Sequence, residues 1–279
     1  MTAAAAHAAQ NEPSEPGTDD RRRPSWRTVA LPSEHGGWSL TAEPALLGLI
    51  VAFSGSGLAL AGAAMLAFVA RTPLKVVLVD RWRHRWLDRS RLALRIAAIE
   101  VAMLVALAVI AVVSTDHRFW PPLAIAAPLV LLELWYDMRS RSRRLIPEIA
   151  GTIGIGSVAA AVALAGGESN LISYGLWCVI AARSVAAIAY VRCQIMRAHS
   201  RPAPRWHSDI GQLAALAAVA IGWAVDAVPA AAVAAIALLG IFNAAALTRP
   251  PSKAVVIGVQ QTVFGVFIVA ITASAVLAA

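Results

Sequence analysis

The sequence predicts an all-α fold, a polytopic membrane bundle of about nine transmembrane helices whose N-terminus is cytoplasmic. Three observations carry this. Hydrophobic residues make up 59% of 279 positions and charged residues only 14%, with a mean hydropathy of +0.67. The apolar residues gather into runs of the length that roughly 30 Å of hydrocarbon requires of a helix. Of the 24 Lys and Arg residues, 22 fall in the N-terminal tail or at every second junction between those runs.

Taken in order, the runs are Trp38 to Phe53, Leu58 to Val79, Leu92 to Val113, Trp120 to Tyr136 and Pro147 to Ala165. Four more follow: Leu171 to Val191, Ile210 to Val225, Val228 to Leu247 and Ala254 to Leu277. The first and fourth are short, and the seventh and eighth meet across the Asp226-Ala227 step, so the number is open by one. With nine spans, the clusters Arg21 to Arg27, Arg71 to Arg95, Arg139 to Arg144, Arg192 to Arg205, and Arg249 with Lys253 all become cytoplasmic. The opposite junctions are short and hold one cation, Arg118. Residues 1–31 read as a disordered cytoplasmic tail and residues 32–279 as one transmembrane domain; no signal-peptide core precedes it.

The formal charge of +8 does not indicate nucleic acid, because the cations are spread over juxtamembrane loops instead of forming one stripe. Topology retention and contact with anionic membrane lipids explain them better. Cys178 and Cys193 match no metal or redox spacing. Gly151, Gly154 and Gly156 follow no strand, so they favour close helix packing in lipid over a phosphate-cradling loop.

Arg183 is the anomaly. A cation at membrane depth costs at least about 2.5 to 3.5 kcal/mol unless it meets water, a carboxylate or a ligand, so it should face the protein interior. At 100° per residue, Tyr190, Gln194 and Arg197 share its face, and Arg192 points away. Two readings stand: a buried ion pair that fixes helix packing, or a cation lining a cavity for an anionic group. Further polar positions collect toward the same side. They are Glu34-His35 before the first span, Glu43-Pro44 within it, and Arg71, Pro73 and Lys75 near the end of the second. Glu133, Tyr136 and Asp137 end the fourth, Arg144 and Glu148 open the fifth, and Gln260-Gln261 open the ninth. Pro44 should bend or shorten its helix, and Asp137 to Arg141 has the spacing of an ordinary i,i+4 pair.

The segment Pro32-Ser33-Glu34-His35-Gly36-Gly37-Trp38 resembles the Pro-x-Glu-His-Gly-Ala-Trp entry of the YwiC-like integral membrane family. So do Arg71-Thr72-Pro73-Leu74, Tyr136-Asp137, the run from Arg144 through Gly151, Arg183, Tyr190-Val191-Arg192, and the run from Arg249 through Gly258. The resemblance implies an architecture rather than a reaction. In layout the family is similar to the UbiA-type intramembrane prenyltransferases, whose nine helices surround a cavity open to the cytoplasm. Asp-rich loops there hold magnesium for a prenyl diphosphate. This chain departs from them. Asp80 and Asp88 lie eight residues apart in the corresponding loop, and the loop after the sixth span has Asp209 as its one acid. A two-magnesium site of the usual form is not expected, and neither a cofactor nor a metal is named by the sequence.

Arg-rich surroundings can bind an oxyanion directly. The leading expectation is a cytoplasm-facing cavity in which Arg71, Lys75, Arg183, Tyr190 and Arg197, with Tyr136, Asp137 and Arg144, hold the anionic head of a phospho- or prenyl-lipid. Glu34, His35 and Glu148 are the candidates for proton transfer or for a single metal. The alternatives are a transporter with Arg183 as a mid-membrane anion site, and a membrane scaffold whose charges are only structural. The chain is expected in the cell membrane.

Overall fold

The computed structural model describes residues 35–139 and 144–279, as nine α-helices and, among these residues, no strand. They are α1 His35–Val51, α2 Gly55–Trp82, α3 Asp88–Val113, α4 Trp120–Met138, α5 Leu145–Ala165, α6 Asn170–Ala198, α7 Trp206–Ala224, α8 Ala230–Ala246 and α9 Ala254–Leu277. The N-terminal tail, Glu34 and the Asp137–Arg141 spacing fall on residues 1–34 and 140–143, outside the described residues.

Local chemistry sets the boundaries. Ser54 and Ser169 cap α2 and α6, each side-chain oxygen accepting a backbone N–H of the first turn. Pro229 precedes α8, and Pro250-Pro251 precede α9. The seventh and eighth apolar runs are separate helices, divided by residues 225–229, where Asp226 takes a left-handed φ of 59° to turn the chain. Pro44 and Pro73 lie inside α1 and α2 without ending them.

Five helices, α2, α3, α5, α6 and α9, are long and apolar enough to cross a membrane. Helices α1 and α8 are apolar but have 17 residues each, about 26 Å at 1.5 Å per residue, and α4 and α7 have 19.

Helix α5 is the centre. It buries 14 of its 21 residues and packs against α1, α2, α4 and α6. Its small residues permit this: a Cβ on Gly154 would meet the Val130 side chain at 2.9 Å, and one on Gly156 would meet Ile180 at 3.2 Å. Helix α3 is peripheral. It packs on α2 through Ala93, Ala97 and Ala111 and turns Leu94, Ile99, Met103 and Val109 outward. In water such a surface would aggregate; in a bilayer it is the lipid-facing side. The protein is a helical membrane bundle, with its Arg-bearing loops, by alternation along the chain, at one basic end.

Candidate functional site

Residues expected to share one cavity form three groups. The first joins α2 to α4. Arg71 Nε donates to Asp137 Oδ2 at 2.8 Å, and its Nη1 approaches Glu133 Oε1 at 2.7 Å. Lys75, one turn on, approaches Asp137 Oδ1 at 3.2 Å. The carboxylates lie inward, Asp137 at 1% and Glu133 at 17% side-chain exposure, while Arg71 and Lys75 keep 30% and 35%. Gly151 of α5 makes room for Glu133, since a Cβ there would overlap the carboxylate. Asp137 stands at the end of its helix, beyond the spanning segment. Burial alone would raise its carboxyl, but the hydrogen bond and charge of Arg71, then Lys75, more than reverse this and hold it below its ordinary value.

Aromatic side chains frame this group. Arg139 lies over the Trp135 ring at 4.0 Å from its centroid and over Trp82 at 5.7 Å, tying the ends of α4 and α2 together. Tyr136 is partly buried and stands edge-on to Trp135. Arg144 precedes α5 and is exposed.

The second group is Arg183. It is 2% exposed, and its Nη2 donates both to Glu43 Oε1 of α1 at 2.9 Å and to the Gln261 backbone carbonyl of α9 at 2.7 Å. Gly265 of α9 leaves the space: a Cβ there would overlap the Glu43 carboxylate and come within 2.6 Å of Arg183 Nη2. The Gln261 amide then donates to Asn243 Oδ1, Asn243 to Gln212 Oε1, and Gln212 to the Ala186 carbonyl. This polar chain links α1, α6, α7, α8 and α9 inside an apolar bundle. As the helical count implies, Tyr190 and Gln194 lie buried on the same face, with Gln194 Nε2 donating to the Tyr190 hydroxyl at 3.0 Å.

The third group lies at the basic end. Arg192, on the other side of α6, pairs with Glu148 at 2.8 Å, and both are about one-third exposed. Arg197 is spent on the end of α8, donating to the carbonyls of Leu247 and Arg249, as cations do at helix C-termini. His35 begins α1, and its side chain lies outside the described residues, as does Glu34.

Arg71 and Lys75 are therefore apart from Arg183: helices α2 and α6 do not pack side by side. A shallow open depression lined by Asn170, Tyr174, Gly175 and Ala227 lies at the end away from the basic loops and includes none of the expected residues. Asp80, just beyond its spanning segment, accepts from Arg89 at 2.9 Å and Ser90 at 2.7 Å, closing the α2–α3 hairpin. The Arg89 hydrogen bond is the main cause that holds the Asp80 carboxyl below its ordinary value. Among the described residues no group of three or more His, Cys, Asp and Glu could hold a metal ion. Two partners escaped the expected site, Glu43 and Glu133; the signal was that a cation at membrane depth needs a carboxylate at matching depth.

The family model described as YwiC-like protein matches residues 31–163. No curated protein and no solved structure matches the chain. The matched region holds Glu43, Arg71, Lys75, Glu133, Asp137 and Glu148 and stops before Arg183. Over its first four helices and nearly all of the fifth, the chain is similar to the YwiC-like family.

Proposed function

We propose that this protein binds the anionic head of a phospho- or prenyl-lipid amphiphile at the cytoplasmic side of the cell membrane, in the seam between α2 and α4. One observation carries the reading: two cations one turn apart remain about one-third exposed toward the basic end of α2. Arg71 and Lys75 lie 16 and 20 residues along α2, about 24 and 30 Å from its start, where a hydrocarbon span of about 30 Å gives way to headgroups. Cations at that boundary attract anionic headgroups. Glu133 and Asp137 hold the two side chains from behind, and the guanidinium fork suits a phosphate. Trp82, Trp135 and Tyr136 are of the kind that settles at headgroup level, with Arg144 at the rim.

The UbiA-type resemblance supplies the ligand class, an amphiphile whose tail lies between helices. Glu148, exposed at the same end, is the proton-transfer candidate, with Glu34 and His35 from the family's entry motif. In this reading Arg183, Tyr190 and Arg197 support the bundle and do not touch the headgroup.

The test is native mass spectrometry with lipid analysis of the detergent-purified protein. The variant replaces Arg71 and Lys75 by Gln, Glu133 by Gln and Asp137 by Asn together, so no buried charge is stranded. Wild type should retain a specific anionic lipid and this variant should lose it, while a Glu43→Gln/Arg183→Gln control keeps it. An identical lipid population in wild type and the α2–α4 variant refutes the proposal.

A further inference from the structure

The Glu43–Arg183 pair is incompletely bonded for a structural clamp. An arginine and a carboxylate can form two parallel hydrogen bonds, yet here a single nitrogen, Nη2, serves both Glu43 Oε1 and the Gln261 carbonyl. Glu43 Oε2 and Arg183 Nε are buried with no hydrogen-bond partner. An unused acceptor and an unused donor thus remain in side chains 4% and 2% exposed, in a space kept by the missing Cβ of Gly265. A buried donor without a partner is expensive, and a water or an ion commonly meets it.

The surroundings are one-sided. Toward the basic end, Tyr190 and Gln194 continue the polar face of α6, and Gln194 Oε1 is itself without a partner. Toward the other end, Leu47, Val51, Ala159, Leu176, Ile180 and Val269 close α1, α5, α6 and α9 in a dry apolar cluster. The polar side chains therefore continue from Arg183 toward the basic end alone, through Tyr190 and Gln194, each 1% exposed. Among the described residues on elements packed against α1, only Arg183 is bonded to Glu43. Helix α9 carries no charged residue, and Glu148 of α5 is held by Arg192. On α2, Arg71 and Lys75 are held by α4 and Asp80 by α3. Tyr190 lies two turns below Arg183, on Gln194.

We propose that Arg183 is a mid-membrane binding site for a small monovalent inorganic anion, for which the Glu43 carboxylate stands in, so that each anion bound is accompanied by one proton taken up by Glu43. In a dry core Arg183 needs one negative partner. If an anion takes that place, Glu43 leaves Nη2 and accepts a proton from cytoplasmic water: Glu43 carboxylate, Arg183, anion and proton become neutral Glu43 beside an Arg183–anion pair. Net charge in the bilayer stays at zero on both sides of the exchange. The Gln261 carbonyl keeps Arg183 positioned throughout. This site is independent of the α2–α4 seam.

The experiment uses the full chain in nanodiscs with chloride, whose charge is constant with pH, as radiolabelled probe against gluconate. In wild type the chloride dissociation constant should rise about tenfold per pH unit on the alkaline limb, as one linked proton requires. Chloride added to weakly buffered protein should draw one proton per ion bound. Glu43→Gln should bind chloride more tightly and without pH dependence. The charge-balanced Glu43→Gln/Arg183→Gln variant should fold and bind none. Absence of chloride binding to wild type, binding without proton uptake, or undiminished binding by the double variant each overturns the proposal; the proton count in wild type needs no variant to fold.

Discussion

Replacing Glu43 by Leu would leave Arg183 as an uncompensated cation in the core of the bundle. At the observed 2.9 Å and an effective dielectric constant of about 20, the Coulomb attraction lost is about 6 kcal/mol. Desolvation of both ions already offsets part of it, so breaking a buried pair from one side is expected to cost about 3 to 5 kcal/mol. The Gln261 carbonyl, 2.7 Å from the same nitrogen, survives the substitution and pulls the cost toward the lower figure. Replacing both partners, Glu43→Leu with Arg183→Met, should recover most of the loss, since neither charge then remains in the core. The assay is reversible unfolding in mixed micelles with gluconate as the anion in place of chloride, followed by tryptophan fluorescence across a double-mutant cycle. A Glu43→Leu variant as stable as wild type, or a double variant as unstable as Glu43→Leu, would refute the argument that burial and pairing govern this residue.

Gly265→Val should act on the same pair from α9, because its side chain must enter the space of the Glu43 carboxylate and the Arg183 guanidinium. A loss of about 1 to 3 kcal/mol is expected, against little for Gly258→Val, where a Cβ meets nothing within 4 Å; unfolding midpoints compare the two. Gly151→Ala should press on Glu133 and weaken its contact with Arg71, and the bound-lipid fraction in native mass spectra should fall with it. Asp80 provides a pH test. Its folded-state carboxyl is depressed, so its stabilisation is fully present above the unfolded value of about 3.9 and is lost as pH falls through the folded one. Asp80→Asn should therefore lower the melting temperature at neutral pH, with the gap to wild type closing in strong acid; a gap constant with pH would contradict the assignment to Arg89 and Ser90.

The helices were legible because each depends on short-range information. Apolar runs of bilayer length and the alternation of basic and cation-poor junctions lie within a few residues of what they specify. The inward face of α6 was equally readable, since Arg183, Tyr190 and Gln194 recur at helical spacing and an intramembrane cation has one tolerable direction. Its partner was not. Glu43 lies 140 residues away, and helical periodicity says which face is polar without saying which helix that face meets.

Pairing is what only the tertiary structure decided. The basic residues near the membrane look alike along the chain, yet Arg183 is sealed against α1 and α9, Arg71 and Lys75 lie half-open against α4, and Arg197 closes the end of α8. Glycines drew these distinctions as much as charges did. Gly265 and Gly151 each admit a carboxylate where any other side chain would exclude it. Helix formation follows from local hydrogen bonding and hydrophobic length, whereas the choice among partners follows from which surfaces approach closely once α5 occupies the centre.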